Sequence, residues 1–136
     1  YVMNAKEYLS QAFRLDQKIN SKLEQVSKLR NLSMKASGLR LAERISGTKE
    51  HSLMESALVK MIDLEYEINA DIDRLVDLKR EMATLIERVN DPSQRLLLEM
   101  RYLCGNTWED IAQKMGYDLR WVYRLHGKAL QEFDFK

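Results

Sequence analysis

The chain of 136 residues sets 22 Lys and Arg against 21 Asp and Glu, a formal charge of +1, and holds only five Gly and one Pro. So few turn formers exclude an all-β sandwich or barrel, which needs a turn about every 8–12 residues. A hydrophobic content of 45% excludes disorder, and a charged content of 32% rich in Leu, Lys, Glu, Arg and Ala points to long helices.

The first predicted helix runs from Asn4 to about Ala36 without a Gly or Pro. Asn4 is placed to cap it, with Glu7 three residues on in the manner of a capping box. Ala5, Tyr8, Ala12, Leu15, Ile19, Val26 and Leu29 recur three and four residues apart, with a break at Lys22. That is the spacing of a coiled-coil seam. A loop at about 37–48 follows, with Gly38 and Gly47 as breakers.

Thr48 is placed to cap a second helix ending near Asn90. Met54, Met61, Ile68, Leu75, Met82 and Val89 sit seven apart, and Ala57, Leu64, Leu78 and Leu85 fill the intervening places. Leu58, Ile72 and Ile86 widen the stripe beyond a two-stranded seam, which suggests more than one neighbour. Asp71 interrupts the stripe, and its expected place is an exposed point or a register mark. Residues 1–36 carry +4 and residues 49–91 carry −5. Two long helices of opposite charge predict an antiparallel, coiled-coil-like hairpin over residues 3–91 that serves self-association, a dimer first. Spacing leaves open whether the seam closes within one chain or between two.

Residues 92–136 read as a second, smaller domain. Asp91 caps a helix from Pro92 to Leu103, because proline suits a first helical turn and excludes helix before it. Gly105 is placed for a left-handed stop. Thr107 caps a short helix whose first turn carries Asp110, and Met115-Gly116-Tyr117-Asp118 breaks it. Asp118 then caps a final helix, 119–133. A short helix, a glycine turn and a second helix make the helix-turn-helix outline. Ala112 is small where the helices cross, Gly116 supplies a positive φ, and Val122 plugs the angle. Ile111, Met115, Tyr117 and Leu125 fall at inward positions. The whole is expected to be all-α: a long helical hairpin followed by a helix-turn-helix domain.

In such a unit the final helix lies in the major groove with its N-terminal half toward the bases. With Val122 and Leu125 assigned to the core, Asp118, Leu119, Arg120, Tyr123, Arg124, Gly127 and Lys128 remain available to double-stranded DNA. Arg120 and Arg124, four apart on one face, suit guanine edges or phosphate, and Lys128 on the same stripe suits phosphate. Gly127 permits close approach. Thr107 is placed to aim amides at a phosphate. Trp121 is also available, but of Trp121 and Tyr123 one is expected to pack beneath the helix and the other to meet a thymine methyl or sugar. Core or partner contact is the favoured place for Trp121. The +1 charge of residues 92–136 is low for a nucleic-acid binder, so weak monomer binding strengthened by self-association or a polymerase is expected.

Arg101-Tyr102-Leu103, Gly105, Thr107-Trp108-Glu109-Asp110-Ile111-Ala112 and Val122–Leu130 resemble the promoter-reading region 4 of sigma-70 factors. The resemblance covers about residues 92–135. With Asn69-Ala70-Asp71-Ile72-Asp73 and the long helical front, the chain also resembles small regulators encoded by phages and prophages of Gram-positive bacteria, near the RinA-like and ArpU-like activators. The resemblance implies a phage transcriptional regulator that reads promoter DNA in the bacterial cytoplasm and touches host RNA polymerase. The promoter-melting part of a sigma factor has no counterpart here. Rival readings are a small-terminase-like packaging subunit and a region 4 mimic that binds polymerase without DNA.

Other chemistry is poorly represented. The lone Cys104 rules out an intramolecular disulfide and is expected half-buried. His51 and His126 stand too far apart in sequence for a metal motif. His126 lies off the basic stripe and is expected to be a packed or exposed helical residue. No Gly-rich phosphate loop or Ser/His/Asp set appears, so no enzyme, cofactor or metal is expected. No apolar run approaches a bilayer span, and no signal peptide is visible.

Overall fold

The computed structural model describes the backbone of residues 3–42 and 47–135, and side chains within 3–35 and 52–135. All regular structure among the described residues is helical. Helix α1 spans Ala5–Ala42 and α2 spans Gly47–Ile86. Asn4 caps α1 as expected: its Oδ1 accepts from the Glu7 amide at 2.8 Å, and its Nδ2 donates to the Glu7 carboxylate at 3.2 Å.

The expected loop at 37–48 is shorter. Helix α1 continues through Gly38 to Ala42, and Gly47 opens α2 rather than breaking the chain. One glycine costs a helix only about 1 kcal/mol, which a helix of 38 residues tolerates. What remains of the expected loop, residues 43–46, lies outside the described residues. Helix α2 stops four residues before Asn90, its end tightened by bonds from Arg88 to Leu85 at 3.1 Å and from Val89 to Ile86 at 3.0 Å.

The chain divides into two units. One is Gln17–Asp73, the middle of the hairpin. Ile19 and Val26 from α1 are buried there, as are Ala57, Met61, Leu64 and Ile68 from α2. Lys22 donates to Asp71 at 2.7 Å and lies 3.7 Å from Glu67, while Lys18 lies 3.9 Å from Asp71. Numbers rising along α1 thus meet numbers falling along α2, the antiparallel arrangement. The Asp71 side chain is 4% exposed. Of its two expected places the exposed one is therefore wrong: the carboxylate is buried because Lys22, the other break in the apolar spacing, faces it. Hydrogen bonding to Asp71, the largest cause, raises the Lys22 ammonium above its ordinary value against the opposing effect of desolvation.

The other unit runs up to Asp16 and resumes at Arg74. The domain boundary expected at residues 91–92 falls inside it, because the final helices share one core with the ends of α1 and α2. Helix α3 (Pro92–Leu98) continues as a π-helical turn, Glu99–Leu103. Helix α4 is Trp108–Met115 and α5 is Leu119–Glu132. Leu9, Met82, Ile86, Leu97, Ile111 and Val122, one or more from each of the five helices, are fully buried. Each such side chain contributes about 1.5–3 kcal/mol relative to exposure. Tyr8 stacks on Phe135 at 5.1 Å and packs with Phe133 at 6.1 Å. Burial, with the Glu81 carboxylate beside it, pushes the Tyr8 phenol up to about 12.

The corner before α3 is closed by the Asp91 carboxylate, which accepts from Ser93 at 2.8 Å and Gln94 at 3.5 Å. Arg95 donates to the Val89 and Asn90 carbonyls. The single helix expected over Pro92–Leu103 changes character at Glu99: the Cys104 amide reaches back five residues to the Glu99 carbonyl at 3.0 Å. Such an extra residue per turn re-aims the side chains that follow. Gly105 ends the turn at φ +72°. Cys104 beside it is exposed, not half-buried, since the chain leaves the core at this point.

Candidate nucleic-acid interface

Helix α4, a three-residue turn and α5 form the frame on which the expected site residues sit. Thr107 Oγ1 accepts from the Asp110 amide at 3.1 Å, and the Asp118 carboxylate accepts from the Trp121 amide at 2.8 Å. Between the helices Gly116 takes φ +71°, and the Tyr117 amide returns to the Ala112 carbonyl at 3.0 Å. A side chain at this left-handed position would strain the backbone. Ile111 and Val122 are fully buried, with Leu125 and Ala112 nearly so. Met115 and Tyr117 are half-buried against the same core.

At about 100° per residue, the burial of Val122, Leu125, His126 and Ala129 fixes which face of α5 is turned inward. The opposite face carries Arg120, Tyr123, Arg124, Gly127 and Lys128, all exposed. Leu119, Arg120, Tyr123 and Arg124 line a shallow apolar-walled groove on that face. Among the described residues no ion pair holds Arg120, Arg124 or Lys128, so their charges face solvent. Lys128 lies over the Trp121 ring at 5.3 Å, and Tyr117 meets that ring edge-on at 6.4 Å. Trp121 is 38% exposed and so is not a core residue: one step along from Arg120, it borders the basic face instead of turning under the helix.

Three expected site residues have structural duties as well. Thr107 and Asp118 are exposed but spend an oxygen each on a cap, and Leu119 is half-buried against the core. Gly127 is open: a Cβ there would meet nothing within 4 Å. Glu109 and Asp110 are exposed in the first turn of α4, where they complement its amides.

Behind α5 lies a cluster that motif spacing does not show. His126 is buried, its Nε2 2.7 Å from the Tyr102 hydroxyl, and Trp108 meets its ring edge-on at 4.5 Å. Burial lowers the His126 pKa to about 4, helped by the Lys6 and Arg101 charges. The Arg101 guanidinium lies 4.4 Å from the Trp108 ring and 5.6 Å from that of Phe13, and donates to the Asn106 carbonyl at 3.0 Å. The π-helical turn aims Arg101 and Tyr102, and no sequence rule flags it. The sequence signal that could have found it is the concentration of aromatic residues between Tyr102 and Tyr123.

Among the described residues no helix is long and apolar enough to cross a membrane, and no group of three or more His, Cys, Asp or Glu is placed to hold a metal ion. Residues 34–134 match the model of a family described as a protein of unknown function, DUF1492. No curated protein and no solved structure matches the chain.

Proposed function

The chain belongs to the DUF1492 family, and we propose that this member is a phage-type, sequence-specific DNA-binding transcriptional regulator without enzymatic activity. The carrying observation is the outward face of α5, where Arg120, Arg124 and Lys128 stand exposed beside Tyr123 and Gly127, with no ion pair to any of the three among the described residues. In this reading α5 enters the major groove, Arg120 and Arg124 reach guanine edges or phosphate, and Lys128 holds backbone phosphate. The sigma-like residues from Arg101 to Leu130 favour promoter DNA as the target and RNA polymerase as a partner.

Self-association completes the proposal. Val59, Ile62 and Tyr66 recur three and four residues apart on α2 and are 53–75% exposed, an apolar stripe suited to a second copy of the hairpin. A dimer would offer two α5 helices to one DNA, and linkage would offset the weak charge of each head.

The test is a mobility shift with phage promoter fragments across a salt series. Wild-type protein should bind with affinity falling steeply as salt rises. Arg120→Ala and Arg124→Ala should each weaken binding by about 10- to 100-fold if bidentate to a base. Absence of salt-sensitive binding, or binding unchanged in the double variant, refutes the reader assignment. Co-purification with polymerase in that event supports the mimic reading, which the near-neutral charge of residues 92–136 favours. Light scattering should give a dimer, and a large ring would point to DNA packaging.

A further inference from the structure

A second cationic site lies away from the outward face of α5. Lys6, Ser10 and Arg14 follow one another at four-residue intervals on α1, which puts them on one face of that helix. With Phe13, Arg101 and Trp108 they line a cavity of about 200 Å³, and Tyr102 forms part of its wall.

Three features make this a built site. Arg101 is held before any ligand arrives, its guanidinium against the Phe13 and Trp108 rings and one N–H on the Asn106 carbonyl. Arg14 is steadied likewise by donating to the Glu7 carbonyl at 3.3 Å. Among the described residues no carboxylate lines the cavity and no ion pair holds Lys6, Arg14 or Arg101. Three cations and a hydroxyl therefore converge on one small space, and most of the Arg101 fork remains unspent. Behind the Trp108 ring His126 is held neutral first by burial and only then by the Lys6 and Arg101 charges.

We infer that this cavity binds a phosphate group, with Arg101 as the oriented fork and Lys6, Arg14 and the Ser10 hydroxyl as the surrounding donors. Arginine matches phosphate oxygens bidentately, which fits the fixed guanidinium. The volume lies below the roughly 300–1,000 Å³ of sites that enclose a drug-sized ligand, so a phosphate group fits and a whole nucleotide does not. Two sources share this chemistry: the backbone of DNA held by α5, and a free phosphate or phosphomonoester. The first rests on the proposed DNA-reading function and the second does not.

The experiment uses the full chain with Trp121→Phe, which leaves Trp108 as the only tryptophan. Inorganic phosphate is titrated at constant ionic strength against chloride, with Trp108 fluorescence as readout. The expected result is a saturable change with phosphate alone, weakened at least about 10-fold in Lys6→Gln/Arg14→Gln, as expected for loss of two charge-assisted bonds. Both side chains are exposed, and circular dichroism checks the fold. Failure to saturate, or saturation unaffected by the double variant, overturns the proposal. In a parallel duplex-DNA titration, a salt slope reduced by about two in Lys6→Gln/Arg14→Gln identifies the DNA backbone as the source. An unchanged slope with phosphate binding intact identifies the free ligand. Arg120→Ala/Arg124→Ala should leave the phosphate titration unchanged, so a chain that binds phosphate but no DNA sinks the reader while the pocket stands.

Discussion

Acidification from pH 7 to pH 5 should weaken the folded chain through one side chain, His126. An unfolded histidine titrates near 6.5, whereas burial and the Lys6 and Arg101 charges lower His126 to about 4 in the fold. Between these values the unfolded chain takes up a proton that the folded chain refuses. The contribution is therefore fully present above pH 6.5 and is lost as pH falls toward 4. A shift of this size corresponds to about 3 kcal/mol at 1.36 kcal/mol per unit once the pH is below 4. The interval from pH 7 to 5 releases about 2 kcal/mol of it, or about 1 kcal/mol after allowance for partial solvent screening. The assay is proton NMR of a His51→Gln variant, in which His126 is the only histidine, together with urea unfolding at pH 7, 6 and 5. The ring protons should show no midpoint above pH 5, and the fall in unfolding free energy should vanish in His126→Gln, whose amide can still meet the Tyr102 hydroxyl. A midpoint near 6.5, or the same fall in His126→Gln, would refute the reasoning.

Other substitutions separate structure from binding. Gly116→Ala should cost about 1–2 kcal/mol in urea unfolding because the residue sits at φ +71°. Gly127→Ala should instead add up to about 1 kcal/mol, since α5 has room for the methyl, while weakening DNA in the mobility shift if close approach matters. Asp118→Ala should cost about 1 kcal/mol through loss of the α5 cap, and Asp118→Asn should retain most of it; equal losses in the two would exclude capping as its main role. Lys22→Met should lower the melting temperature by leaving Asp71 buried beside a missing partner. Lys22→Met/Asp71→Leu should recover most of that loss, and a double variant no better than the single would show that the pair itself supplies stability.

The apolar periodicity carried the hairpin. On α1 the residues of the seam from Ala5 to Leu29 are all buried or half-buried, and on α2 so are Met54, Met61, Ile68, Leu75, Met82 and Val89. Leu9 shows what a single seam leaves out. It lies beside the stripe yet is fully buried, because α1 meets a second set of neighbours near its start. Seam spacing encodes one partner at a time and cannot encode that. Lys22 and Asp71 were each visible as interruptions, but their meeting depends on the offset between the helices, which neither pattern contains. In the C-terminal segment caps and turns were legible because Asp91, Thr107, Asp118 and Gly116 act through local backbone chemistry. The stack of Phe13, Arg101 and Trp108 was not, since it joins α1, the π-helical turn and α4. The outward face of α5 was read from periodicity, while the exposure of Trp121 and the half-burial of Leu119 needed the structure.

The shared core of α1 with the last three helices bears on how the chain comes to be folded. Tyr8 and Phe133, about 125 positions apart, touch in the finished unit. Contacts of such span require closure of a long loop before they stabilise anything, which slows folding. During synthesis Tyr8 cannot meet Phe133 and Phe135 until the end of α5 has left the ribosome. The middle of the hairpin closes on nearer neighbours and can form first. A cut after residue 91 would therefore yield no small C-terminal domain able to stand alone. It would leave α5 without Leu9, Met82 and Ile86, and the severed front with a bare apolar edge.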